Sequence, residues 1–84
     1  MSYKVKIHRR VEKFLKELPK VEKKRIKSLV LSLENPYDVS HVKIKGEVGV
    51  YRARTGKYRV LYTIFEEEKL VLVLKADKRG KIYR

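Results

Sequence analysis

The period of the hydrophobic residues changes twice along this chain, and that change limits the fold more than any single residue does. Tyr3, Val5 and Ile7 alternate with Lys4 and Lys6, the period-two pattern of a half-buried strand. Val11, Phe14, Leu15 and Leu18 then fall at i, i+3, i+4 and i+7, which is one face of a helix. Ile26, Leu29, Val30 and Leu33 repeat that spacing, so a second helix is predicted from about Pro19 to Glu34. Pro19 suits a helix start. Asn35-Pro36 predicts its end, because the residue before a proline avoids the helical region. Residues 36–47 read as an irregular connection. Period two then returns in three runs, Val48 to Arg54, Lys57 to Phe65 and Leu70 to Ala76, with turns at Gly56 and at Glu66–Lys69. Such short connections join antiparallel neighbours. The predicted order is β-α-α-β-β-β. This is an α+β fold, with an N-terminal strand and a helical hairpin packed on a mainly antiparallel four-stranded sheet. At 84 residues, the chain is expected to form one domain over 1–84.

Composition removes several function classes. There is no cysteine, hence no disulfide framework, thiol nucleophile or zinc-thiolate site. His8 and His41 are the only histidines and lie far apart, with no metal-ligand spacing, so no metal or cofactor is expected. The bland reading of both histidines is structural or solvated. No apolar run approaches the ~18 residues of a membrane span, and the start lacks the apolar core of a signal peptide. The expected location is the cytoplasm, away from membranes.

The charge is strongly unbalanced, with 23 Lys+Arg against 10 Asp+Glu, net +13. An anionic partner is the default inference from such a count. Most helical lysines fall between the apolar positions and read as a solvated face. The strands are more informative. Arg52 and Arg54 lie two apart on one face of their run, opposite Tyr51 and Ala53. Arg59 opposes the face of Tyr58, Val60 and Tyr62. If the tyrosine and valine faces pack on the helices, three guanidiniums gather on the other side of the sheet. Guanidinium forks grip phosphate bidentately, which lysine does not. Residues 77–84 add Lys78, Arg79, Lys81 and Arg84 around Gly80, and Tyr83 can stack on a base or exchange a proton.

The segments Val50-Tyr51-Arg52-Ala53-Arg54, Tyr58-Arg59-Val60-Leu61-Tyr62 and Lys78-Arg79-Gly80-Lys81-Ile82-Tyr83 follow a strand and a helical hairpin in that order. Together with Tyr3-Lys4-Val5 and the Leu18-Pro19-Lys20 junction, this arrangement resembles the RelE toxins of the RelE/ParE toxin–antitoxin superfamily, most closely the archaeal ones. The resemblance spans nearly the whole chain. It implies a ribosome-dependent endoribonuclease that cuts mRNA in the A site of the 70S ribosome and is inhibited by a RelB-type antitoxin. By position it implies Arg59 and Arg79 as cations around the scissile phosphate and Tyr83 as the third catalytic group. Arg52, Arg54, Lys57, Lys78 and Lys81 would contact RNA.

Cleavage by attack of the ribose 2′-hydroxyl needs no metal. It needs a group to take the 2′-proton, cations around the developing charge and a proton for the leaving oxygen. Some family members carry lysines where this chain has Arg52 and Arg54, one of them a proposed general base. An arginine does not release its proton at neutral pH. The base is therefore open among Tyr83, Lys78, Lys81 and Lys57. Two other functions remain: a ParE-type toxin directed at gyrase, and a non-catalytic RNA- or ribosome-binding module. Leu31 and Val71 lie off the main apolar faces and are expected to meet the helices of an antitoxin.

Overall fold

The computed structural model describes residues 2–39, 41–44 and 48–78. In chain order the elements are β1 (Lys4–Ile7), α1 (Arg9–Lys16), α2 (Lys20–Ser32), a 3-10 turn (Pro36–Asp38), β2 (Val42–Lys43), β3 (Val50–Thr55), β4 (Tyr58–Phe65) and β5 (Leu70–Lys78). The sheet runs β1-β5-β4-β3-β2, with β1 parallel to β5 and every other pair antiparallel. The sheet therefore has five strands where the sequence predicts four. The added strand, β2, lies inside the stretch read as irregular. It has only two residues, both exposed, too few to leave an alternating pattern.

Local chemistry sets the helix ends. His8 caps α1, its ring Nδ1 accepting from the Arg10 amide at 3.0 Å. Lys13 and Lys16 fall in the last turn of α1, where a cation suits the helix dipole. α2 starts after Pro19, whose carbonyl accepts from the Lys23 amide at 2.9 Å. It ends before Leu33, slightly earlier than predicted, and Pro36 restarts the chain as a 3-10 turn. The β3–β4 turn needs Gly56, which sits at φ 58° with the Arg25 side chain against it. The β4–β5 turn needs Lys69 at φ 51°, an uncommon conformation for a residue with a Cβ.

Both helices cover one face of the sheet. Val11 and Leu15 of α1, Ile26 of α2, and Leu33 pack against Ala53, Val60, Tyr62, Val71, Val73 and Ala76. Val71 is thus in the core and fully buried, in ladder with Ile64 and Val5, so the expectation that it meets a partner is overturned. Leu31 does face outward, 66% exposed near the end of α2.

The β4–β5 ladder carries one irregularity that decides what faces where. Leu61 lies opposite Lys75 and Tyr62 opposite Val73, so Leu74 is left without a partner across the ladder. The bulge resets the alternation. Val71 and Val73 face the helices before it, Ala76 and Lys78 after it.

Candidate functional site

The face of the sheet away from the helices is assembled row by row from the ladder register. One row is Arg54, Arg59 and Asp77. The next row on the same face is Val42, Arg52, Leu61 and Lys75. The rows beyond it are Val50, Thr63, Leu72 and Lys6, then Phe65, Leu70 and Lys4. Cations therefore collect at one end of the face and apolar side chains at the other, with Lys4 and Lys6 along the β1 edge.

The three strand arginines are brought together as their alternation predicts, but in unequal settings. Arg54 is exposed and Arg52 half-buried. Arg59 is only 4% exposed, with its Nε and Nη1 shut off from solvent. Residues directly opposite across a ladder have Cβ atoms about 5 Å apart, and like charges at that spacing repel. Arg54 and Arg59 stand in that relation. Asp77 flanks Arg59 on its other side, and its Oδ1 accepts from the Lys78 amide at 2.7 Å. The row is therefore cation, buried cation, carboxylate, and its open end attracts an anion.

Arg52 and Arg54 also line a cleft of about 110 Å³ with Val42 and His41. His41 Nδ1 lies 2.6 Å from the Val39 carbonyl oxygen. Its ring meets Tyr51 edge-on, centroids 5.4 Å apart at 90°. Tyr51 in turn lies 5.8 Å from Tyr62, which is fully buried. Burial, with a smaller contribution from Tyr51, pushes the Tyr62 phenol up to about 12. Its hydroxyl has no hydrogen-bond partner among the described residues.

Other expected contacts fall elsewhere. Lys57 sits exposed at the tip of the β3–β4 turn. Lys78 lies opposite Tyr58 in the row that faces the helices, and it lines a separate cleft with Glu17, Glu22 and Tyr58. It does not join the arginines. Arg79, Lys81 and Tyr83 lie outside the described residues.

Two residues of this surface were not singled out by sequence reasoning. Continued alternation from Val71 and Val73 would put residue 77 on the helix side, and only the bulge at Leu74 turns Asp77 toward Arg59. His41 borders the arginine cleft, its ring against Tyr51, through the pairing of β2 with β3, which no local signal announces. Among the described residues no three His, Cys, Asp or Glu side chains come close enough to hold a metal ion, and no helix is long and apolar enough to cross a membrane.

Known proteins resemble this chain in both sequence and fold. The family model described as the ParE toxin of the type II toxin–antitoxin system, parDE, matches residues 5–83. The Methanocaldococcus jannaschii protein named "Putative toxin RelE1" is 36% identical over 100% of this chain and 98% of its own length. The crystal structure of the archaeal RelE–RelB complex from Pyrococcus horikoshii OT3 superposes with a TM-score of 0.78 at 38% identity, covering 96% of this chain and 99% of that one. The toxin–antitoxin complex RelBE2 from Mycobacterium tuberculosis does so with a TM-score of 0.83 at 28% identity, over 94% and 100%. With nearly its whole length matched in sequence and in fold, the chain belongs to the RelE family of the RelE/ParE superfamily of type II toxin–antitoxin toxins.

Proposed function

We propose that this toxin is a metal-independent endoribonuclease that acts in the cytoplasm, cuts mRNA in the A site of the 70S ribosome and is held inactive by a RelB-type antitoxin. The observation that carries the reading is the Arg54–Arg59–Asp77 row with Arg52 beside it, on the face the helices leave open. Electrostatic stabilisation of developing charge is usually the largest single contribution to such catalysis. It is worth more at a group withdrawn from water, because the local dielectric is lower. Arg59 is such a group at 4% exposure. In this reading Arg59 and Arg79 hold the non-bridging oxygens as the phosphorus gains charge. Arg52, Arg54, Lys57 and Lys81 hold the neighbouring backbone, and Tyr83 stacks on a base or protonates the leaving oxygen.

The antitoxin reading is supported by the relatives, since the Pyrococcus and Mycobacterium structures are of toxin–antitoxin complexes. A surface with Leu31 exposed at 66% on a chain of net charge +13 suits an acidic partner with apolar anchors.

Primer extension on a message translated in the presence of the protein tests the reading. Cuts at A-site codons with 2′,3′-cyclic phosphate and 5′-hydroxyl ends are expected. They should fall by about 10²–10³ in Arg79→Ala, the usual loss when one such donor is removed. Intact message on matched archaeal or bacterial ribosomes refutes it. Gyrase-dependent DNA damage in its place would favour a ParE-type toxin instead. Salt-sensitive ribosome binding without cleavage would leave a binding module.

A further inference from the structure

We infer that Lys75, Lys6 and Lys4 form a stepped strip that holds three successive phosphates of the RNA strand beyond the cleavage point, a placement that rests on the ribonuclease reading above. The strip follows from the ladder register. Lys75 stands opposite Leu61, so it lies one strand over and one row along from Arg59. Lys6 stands opposite Leu72, a further strand over and a further row along, because the bulge takes up the extra residue at Leu74. Lys4 follows on the same strand, opposite Leu70. Diagonal neighbours across a ladder lie about 7–8 Å apart. Alternate residues along a strand lie about 7 Å apart. Successive cations therefore come at nearly equal steps, a repeat that suits the phosphates of an extended strand.

All three lysines are exposed, and all three lie on the open face, because Val5, Val71, Val73 and Ala76 turn toward the helices. The four rows of that face carry six cations, Arg52, Arg54, Arg59, Lys75, Lys6 and Lys4, and one carboxylate, Asp77. Asp77 belongs to the arginine row and its Oδ1 accepts from the Lys78 amide, so it does not interrupt the lysines. The acids Glu66, Glu67 and Glu68 stand in the turn beyond the last row, where they end the strip.

The residue types change along the strip in the sense this role needs. Arginine forks grip a phosphate in a set geometry and stand where charge develops. Lysines are point charges on flexible stems, which hold a backbone without fixing it, as suits nucleotides that are not cut. Beside the lysines run Leu61, Thr63, Leu70 and Leu72, all half-buried, and Phe65, which is 41% exposed. Single-stranded nucleic acid is commonly held in this way, its backbone on a cationic track and its bases against side chains alongside. Continuity with Arg59 favours RNA over an acidic protein segment, since a strand held at the arginines runs directly onto Lys75.

The test is binding of a short single-stranded RNA, 2′-O-methylated throughout so that it is not cut, by the full chain over a range of KCl concentrations. Each phosphate contact with a single strand contributes about −0.7 to the slope of log K against log salt. Lys4→Gln/Lys6→Gln/Lys75→Gln should give a slope shallower by about 2, with weaker binding at low salt and an unchanged thermal midpoint. Lys75→Gln alone should give about a third of that change. Lys13→Gln/Lys20→Gln/Lys27→Gln removes the same charge from the helices and should change the slope by less than one contact. Equal changes in the two triple variants overturn the strip, because net charge alone would then account for binding. An unchanged slope in the strip variant overturns it as well, as does an unmodified protein that binds no RNA. An unchanged slope with lost capture of the RelB-type antitoxin would assign the lysines to that partner instead. The cleavage assay separates the two claims. Message cut by a protein whose slope does not depend on the lysines refutes the strip alone. Intact message with a lysine-dependent slope refutes the ribonuclease reading and leaves the lysines as an RNA-binding surface without a cleavage point.

Discussion

Removing the hydroxyl of Tyr62 should make the protein more stable, against the usual effect of a core substitution. Tyr62 is fully buried between the sheet and the helices, and its hydroxyl has no hydrogen-bond partner among the described residues. Withdrawing such a group from water without a partner costs about 1–3 kcal/mol. Tyr62→Phe deletes one atom and that cost, and the small void left behind offsets part of the gain. A net stabilisation of about 1 kcal/mol is expected, which in a domain of this size raises the thermal midpoint by about 4–8 °C.

The pH dependence gives an independent check on Tyr62. The Tyr62 phenol is raised from its ordinary 10.0 to about 12, chiefly by burial. The folded state therefore keeps the phenolic proton after the unfolded chain begins to lose it. That contribution is complete below pH 10 and is lost as pH rises through the window from 10 to 12. One pKa unit corresponds to about 1.4 kcal/mol. With solvent screening allowed for, the loss is about 1–2 kcal/mol. Other groups titrate there too, so the quantity to read is the difference between the two proteins. Urea denaturation at pH 7, 10 and 12 should show Tyr62→Phe ahead at every pH, with the gap widening above pH 10. A variant less stable than the unmodified protein at pH 7 would mean that the hydroxyl has a buried partner, and the reasoning would be wrong.

Gly56→Ala should lower stability by about 1–2 kcal/mol in the same assay. It forces a Cβ into the left-handed region at φ 58°, where it would lie 2.9 Å from Arg25 Nη1, although that side-chain end can move. Arg54→Ala should leave stability unchanged or raise it by a few tenths of a kcal/mol, because it relieves the repulsion with Arg59, while ribosomal cleavage falls. Equal loss of both would show that the pair is held together by something other than substrate. Leu31→Glu on the exposed side of α2 should not change the unfolding midpoint but should weaken co-purification with the antitoxin, and unchanged capture would remove Leu31 from that interface. Deleting Leu74 should remove the bulge and leave a regular ladder, with Ala76 still inward and Asp77 still beside Arg59, whereas inserting one residue after Leu74 should swap those two faces so that soluble expression is lost. A folded insertion variant would show that the register is set elsewhere.

How much of this was legible in the sequence depends on how local each signal is. The periods of Val11–Leu18 and Ile26–Leu33 come from contacts within one element, and both helices form where those residues lie. The alternation of Arg52 and Arg54 against Tyr51 and Ala53 likewise survives, because β3 and β4 pair without a shift. What was not legible depends on pairing between distant segments. β2 exists because Val42 and Lys43 find Arg52 and Tyr51, and that pairing brings His41 to the arginine cleft. The bulge opposite Leu61 and Tyr62 moves Asp77 to the arginine row and Lys78 away from it. Val71 reads as lying off the main apolar faces, and in the unbroken apolar run of Leu70, Val71 and Leu72 no alternation corrects that. Only the ladder with Val5 and Ile64 shows which of the three turns inward.

The parallel pairing of β1 with β5 also fixes when this surface can exist. Lys4 pairs with Leu70 and Ile7 with Val73, so β1 has no place in the sheet until β5 is available. At about 5–20 residues per second, synthesis of the intervening chain takes several seconds. During that time α1 and α2 are present without most of the surface their apolar faces cover. The arginine row is also completed late, because Asp77 joins it from the end of β5. A translation product broken off before residue 70 would carry Arg52, Arg54 and Arg59 but no strand to seat β1 or flank β4. Assembly of the arginine surface is therefore close to all-or-none, and a nascent chain lacks it until β5 has been made.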